Sequence, residues 1–141
     1  MKKTLAFALI LVSTLIAAGT ASAQNYRVKA TVPFNFTLGD FTLPAGNYTI
    51  DSTAASPVLI LRNLQKGIKI VVIGGPNQGN PQAVSALVFH HYGNQYFLSK
   101  IRSEGVPMNV DFPATRAEKR AREQYIVAGR FVDDPVLIAL N

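Results

Sequence analysis

The sequence predicts a mainly β fold, a small antiparallel β-sandwich or β-barrel with one C-terminal α-helix. Three observations predict it. Apolar and polar residues alternate with period two over most of the chain after residue 23, as in strands that turn one face to a core. Turn signals rich in Gly, Pro and Asn separate these stretches at short intervals. Only the stretch at about 115–127 has helical spacing, and it opens on helix-capping residues. Short strands in this number, with a single helix, fit two packed layers or a sheet closed on itself.

The N-terminus is set apart from this pattern. Lys2 and Lys3 precede an apolar stretch from Leu5 to Ala18, and Gly19-Thr20 leads into Ala21-Ser22-Ala23. A short basic region, an apolar core and small residues in an A-x-A arrangement describe a cleavable secretory signal peptide over 1–23, cut between Ala23 and Gln24. The alternative is a retained anchor, but a spanning helix needs roughly 20 apolar residues and this run is shorter. Gln24 stands where a lipoprotein would carry Cys, so lipid attachment there is not expected. Removing residues 1–23 from the 141-residue chain leaves 118, a single β domain at 24–141.

The signal segment holds two of the 14 basic residues and none of the eight acidic ones, so the remaining chain carries a net charge of +4. That balance favours anionic neighbours, such as an envelope polymer or lipid head groups. No cysteine is present. Disulfides, Cys-ligated zinc and thiol catalysis are thereby ruled out, although an exported chain could use disulfides. After the signal no apolar run is long enough to span a membrane as a helix. The final Leu140-Asn141 lacks the closing aromatic of an outer-membrane barrel strand.

The strands follow in order. Tyr26, Val28, Ala30 and Val32 alternate with Arg27, Lys29 and Thr31, and Pro33 then bends the segment or confines it to an edge. Phe34, Phe36 and Leu38 run to a Gly39-Asp40 turn, and Leu43-Pro44-Ala45-Gly46 forms the next turn. Tyr48, Ile50 and Ser52 alternate with Thr49 and Asp51. Val58–Leu61 and Ile68–Ile73 flank a hairpin loop at 63–67, and the consecutive β-branched residues of Ile70–Ile73 predict burial on both faces. Gly74–Pro81 is a loop. Ala83–Tyr92 and Gln95–Ser103 form a hairpin about Gly93-Asn94, with a two-residue or a three-residue loop. Val106–Phe112 is a weaker strand.

Thr115 and Glu118 have the spacing of a capping box. In the helix they open, Ala117, Ala121 and Tyr125 share one face and Arg116, Lys119 and Arg120 the opposite one. Glu118–Arg122 and Lys119–Glu123 are i,i+4 pairs. Two alanines and a tyrosine make a thin apolar face, so the helix is expected to lie on the sheet and not to build the core. After Gly129, Phe131-Val132 and Val136–Leu140 are expected to make a last strand around the Asp133-Asp134-Pro135 turn.

The segment Val32-Pro33-Phe34-Asn35-Phe36, then Gly39, then Leu43-Pro44-Ala45-Gly46-Asn47-Tyr48-Thr49-Ile50 resembles a block that recurs in an uncharacterised family of short exported bacterial all-β proteins. Leu87-Val88-Phe89, Tyr92-Gly93 and Tyr96-Phe97-Leu98 are similar to a second block, and the 115–123 helix sits where such proteins carry a charged helical end. The resemblance implies an exported β domain and brings no activity with it.

Candidate sites are few. His90-His91 invites a metal site, but strand neighbours point to opposite faces. The expected arrangement is one imidazole facing solvent and one packed against a neighbour such as Tyr96. Gly74-Gly75-Pro76-Asn77-Gln78-Gly79 lacks the Lys-Ser or Lys-Thr and the helix of a phosphate loop. The carboxylates Asp40, Asp51, Glu104, Asp111, Glu118, Glu123, Asp133 and Asp134 show no acid–base spacing, and Asp51 and Asp111 are expected to face water. No G-x-S-x-G elbow occurs. Asn35 and Asn47 match the glycosylation pattern without the context for it.

The basic helix face, with Arg27 and Lys29, could touch an anionic polymer; a solvated face is the plainer use of it, and nucleic acid is not expected. These observations imply no catalytic residues, no metal and no cofactor. They imply a non-enzymatic exported domain with a structural or binding role in the periplasm or outside the cell, its partner an anionic envelope polymer or another envelope protein. The alternatives are a carrier holding an apolar ligand among Phe34, Phe36, Phe89, Tyr96 and Phe97, and a periplasmic hydrolase.

Overall fold

A computed structural model describes residues 24–53, 57–76, 84–106, 108–132 and 134–141; residues 1–23, 54–56, 77–83, 107 and 133 lie outside them. Alternating burial organises the chain into two sheets. Sheet A has the order β1-β4-β5-β6, built from β1 (Asn25–Val32), β4 (Gly46–Thr53), β5 (Val58–Asn63) and β6 (Ile68–Ile73), all antiparallel. Sheet B has the order β11-β8-β9-β10-β7. It contains β7 (Gly75–Pro76), β8 (Ala86–Tyr92), β9 (Gln95–Arg102), β10 (Val110–Asp111) and β11 (Val136–Ala139). The hairpin of β2 (Phe36–Leu38) and β3 (Phe41–Leu43) joins sheet B through one parallel pairing, Thr37 with Phe97. The sheets are not closed into a barrel; the architecture is a β-sandwich.

The core lies between the inner faces. Val28, Ala30, Val32, Tyr48, Ile50, Leu59 and Leu61 of sheet A meet Phe36, Leu38, Leu87, Phe89, Leu98 and Ile101 of sheet B. Aromatic rings join the layers. Phe36 makes edge contacts with Tyr48 and Phe89, both at 5.3 Å, and Phe34 stacks on Tyr96 at 3.9 Å. Such pairs add to the burial of large apolar surfaces. Phe34, Phe36, Phe89 and Tyr96 thus fill the interior by packing on one another.

Two proline-containing crossings carry the chain between layers. Pro33-Phe34-Asn35 takes it from β1 to β2, and Pro44-Ala45 returns it from β3 to β4. The second was expected as an ordinary turn. It is instead a change of sheet, because Gly46 pairs with Val32 in sheet A while Leu43 pairs with Phe36 in sheet B. The crossings are bonded to each other. Asn35 Oδ1 accepts from the Ala45 amide at 2.9 Å, and the Tyr48 hydroxyl donates back to the Pro44 carbonyl at 2.5 Å. Buried Asn63 closes the corner, accepting from the Lys66 amide at 3.1 Å. A Cβ on Gly46 would fall 2.6 Å from Asn63 Nδ2, so any other residue here must displace the buried Asn63 amide.

Other elements refine the expected pattern. The Gly93-Asn94 loop has two residues, because Tyr92 pairs with Gln95. A register shift beyond Val88 leaves Ser99 as a bulge; its hydroxyl donates to the Val88 carbonyl at 3.0 Å and its carbonyl accepts from Phe112. Of the expected Val106–Phe112 strand only Val110–Asp111 is paired, against both β9 and β7. Gly75-Pro76, expected as loop, is therefore a strand. At the far seam Lys29 and Asn141 exchange backbone hydrogen bonds of 3.0 and 2.9 Å, covering part of the β1 edge.

The expectation that Ile70–Ile73 is buried on both faces is corrected. β6 is the last strand of sheet A; Ile70 and Val72 pack on the core while Val71 is 55% and Ile73 71% exposed. A β-branched run reports strand propensity, whereas no described element covers the outer face of sheet A here.

Tyr48→Phe removes one buried hydrogen bond and is expected to cost about 1 kcal/mol. Gly46→Ala, which must displace Asn63, is expected to cost about 1–3 kcal/mol by overpacking. Urea unfolding followed by circular dichroism reads both as shifts of the midpoint, Gly46→Ala the larger.

Candidate functional site

Two outer faces of the sandwich carry its chemistry-bearing side chains. On sheet B, helix α1 (Arg116–Val127) rides over β8 and β9, away from the core. Thr115 caps it, its hydroxyl accepting from the Glu118 amide at 3.2 Å. The helix ends in a Schellman arrangement, with Gly129 N bonded to Ile126 O and Arg130 N to Tyr125 O. Its apolar contacts are few, Ala121 and Tyr125 against Tyr92 and Phe97, as the thin apolar face predicts. Ala117, expected among them, is exposed.

Glu118 takes Ala117's place on the buried side. Its carboxylate does not return to the Thr115 amide as a capping box requires. It turns to the sheet, accepting from His90 Nδ1 at 2.8 Å and from the Tyr92 hydroxyl at 3.5 Å. The Glu118 side chain is 7% exposed and that of His90 41%. One imidazole was expected to face solvent; His90, part-exposed, also bonds Glu118 and so holds the helix. His91 points to the other side of β8 and stacks on Tyr96 at 5.6 Å, as expected. The two imidazoles diverge, and no group of three His, Asp or Glu suited to a metal exists among the described residues.

The other face belongs to sheet A, and its register sets side chains in rungs. One rung runs Arg27, Asp51, Ile60, Val71; the next runs Lys29, Thr49, Arg62, Lys69. Each alternates with a buried or, in β6, half-buried neighbour that packs on the core, so all point outward. Asp51 was expected to face water. It does lie on the outer face, yet its side chain is only 16% exposed, because Arg27 Nε approaches to 2.5 Å and Arg62 Nη1 to 3.5 Å. Four cations therefore share this face with one carboxylate. Val58 and Ile73 form the rung beyond Asp51, so the β5–β6 end of the face is apolar.

The remaining expected residues do not converge. Asp111 pairs with buried Arg102 at 2.9 Å, Asp40 sits in the β2–β3 turn, and Glu104, Glu123 and Asp134 are exposed. Arg116, Lys119 and Arg120 are exposed on α1. Asn35 and Asn47 serve the crossings, Asn47 accepting from the Thr31 hydroxyl at 2.7 Å. Gln24 is exposed just before β1; Ala23 and the Asn77–Gly79 part of the glycine-rich loop lie outside the described residues. A side groove of about 360 Å³ lies where β6 faces the β2–β3 turn, with Phe41, Val71, Ile73, Phe97 and Phe112 in its walls. Of the five rings expected to hold a ligand, only Phe97 lines it.

Arg62 and Lys69 escaped the sequence reading. Their signal was present: they sit symmetrically about the 63–68 hairpin, which places them opposite one another. Comparison with protein families, with curated proteins and with solved structures found no match. No helix among the described residues is long and apolar enough to cross a membrane.

Burial raises the Tyr92 hydroxyl above its ordinary 10.0, and negative Glu118 adds to this while Arg122 opposes it. Burial likewise raises Tyr48, against the effect of the Asn63 amide beside it. An acid whose folded pKa is raised stabilises the fold fully below its unfolded pKa and loses that contribution as pH climbs through the folded one. Stability is thus expected to hold up to about pH 10 and to fall above it. Ultraviolet titration should show Tyr48 and Tyr92 ionising above the ordinary tyrosine value, and Tyr92→Phe should remove part of that late signal.

Proposed function

We propose that this protein is an exported, non-enzymatic β-sandwich domain with a binding role in the bacterial cell envelope, directed at an anionic partner. The observation that carries this reading is the outer face of sheet A, where Arg27, Lys29, Arg62 and Lys69 surround a single carboxylate. Clustered cations raise the local concentration of anions and speed their capture. The signal-like segment at 1–23 and the onset of β1 at Asn25, next to the expected cleavage point, support export. The likeness to short exported β proteins points the same way.

N-terminal sequencing of protein recovered from the periplasm or medium is expected to begin at Gln24; a chain still starting at Met1 would overturn the export reading. On a dextran sulfate matrix the wild type is expected to be retained and released by salt. Reversing Lys29 and Lys69 to Glu should bring elution to markedly lower salt, since surface attraction is screened within about 10 Å at 0.1 M.

A further inference from the structure

We infer that the outer face of sheet A docks this protein on an anionic lipid surface. The inference rests on the anionic-partner reading above and names the partner. Charge alone would suit any polyanion. What selects a lipid surface is the second half of the face. The Lys29–Thr49–Arg62–Lys69 rung crosses all four strands, and at β6 it adjoins Val71 and Ile73, which are 55% and 71% exposed. With strands about 4.8 Å apart, the cationic rung is roughly 14 Å long. Phe41, also exposed, lies across the side groove from the same two residues.

A soluble polyanion would engage the rung and leave the apolar corner in water. A bilayer surface engages both. Its head groups meet the lysines and arginine, and the boundary below them takes up Val71 and Ile73, the combination that holds amphipathic elements at membrane interfaces. The long stems of Lys29 and Lys69 let their ammonium groups stay with the head groups while the strand edge settles deeper. On α1 the exposed apolar residues Ile126 and Val127 stand about two turns beyond Lys119 and Arg120, with acidic Glu123 between them, so charge and apolar surface do not adjoin there as they do at β6. Asp51 does not oppose docking, because Arg27 and Arg62 already neutralise it.

The test is co-sedimentation of the exported protein with vesicles of phosphatidylglycerol and phosphatidylcholine, beside vesicles of phosphatidylcholine alone and soluble dextran sulfate. Binding is expected to the anionic vesicles only, weakening as salt rises. A surface lysine contributes about a fivefold factor, so Lys29→Glu and Lys69→Glu should each weaken binding at least that much. Ile73→Ser should weaken vesicle binding several-fold and leave dextran sulfate binding unchanged. All three positions are exposed, and unaltered thermal unfolding confirms that the variants fold.

Equal binding to phosphatidylcholine would overturn the inference. So would an Ile73→Ser variant that binds vesicles like the wild type, or loss of binding on replacing Arg116, Lys119 and Arg120 when the sheet A variants bind normally. Self-association through β6 that Ile73→Ser abolishes, without vesicle binding, would assign the apolar corner to a second copy instead. Capture by dextran sulfate without vesicle binding overturns the lipid inference and leaves the anionic-partner reading standing. Binding to neither overturns both.

Discussion

The sandwich depends on one corner, where the chain twice changes sheets and the two crossings are bonded together. Asn35 to Ala45 ties crossing to crossing, and Tyr48 to Pro44 fixes the angle at which β4 departs. Asn63, held against Gly46, brings the β5–β6 hairpin to the same point. Each bond is modest alone, about 1 kcal/mol. Their weight comes from geometry. If the crossings moved apart, β2 and β3 would leave sheet B while β1 and β4 stayed in sheet A, and the facing layers of Phe36, Tyr48 and Phe89 would lose contact. The residues of the V-P-F-N-F and L-P-A-G-N-Y segments are accounted for by this corner, so their chemistry is architectural.

With the layers fixed, the two outer faces take different roles. Sheet B spends its face on α1, which closes over Tyr92 and Phe97 and is held by the Glu118–His90 bond. Among the described residues sheet A receives no such cover. Its rungs of cations and its apolar β6 end are left to solvent, and this asymmetry is why the binding reading centres on sheet A. The register does the work here. Lys29, Arg62 and Lys69 are far apart in sequence and become neighbours only because β1, β4, β5 and β6 pair without a slip.

Strand periodicity was legible because it is local: Tyr26–Val32, Tyr48–Ser52 and the Gly93-Asn94 hairpin stand where alternation and turn chemistry place them. The Thr115 cap was legible for the same reason. What escaped depends on neighbours that sequence does not name. Ile70–Ile73 reads as doubly buried until its place at the end of sheet A is known. Glu118 reads as half of a capping box until His90 and Tyr92 arrive above it from a different element. The parallel contact of Thr37 with Phe97 has no local signal at all. Of the candidate surface, Arg27 and Lys29 were visible as charges, but the rungs they belong to were not.

The way the sheets draw on the chain also bears on how it comes together as it is synthesised. Every strand of sheet A lies within 25–73, whereas sheet B combines residues 36–43 with strands from 75 onward. A chain emerging N-terminus first can therefore pair β1, β4, β5 and β6 early. Their inner face, with Val32, Tyr48 and Leu61, then stays wet until β8 and β9 follow. The β2–β3 hairpin waits on the same arrival, since it joins sheet B by pairing with β9. Closure of the core is thus a late, long-range step, and the interval before it is when this chain is most open to misassociation or proteolysis.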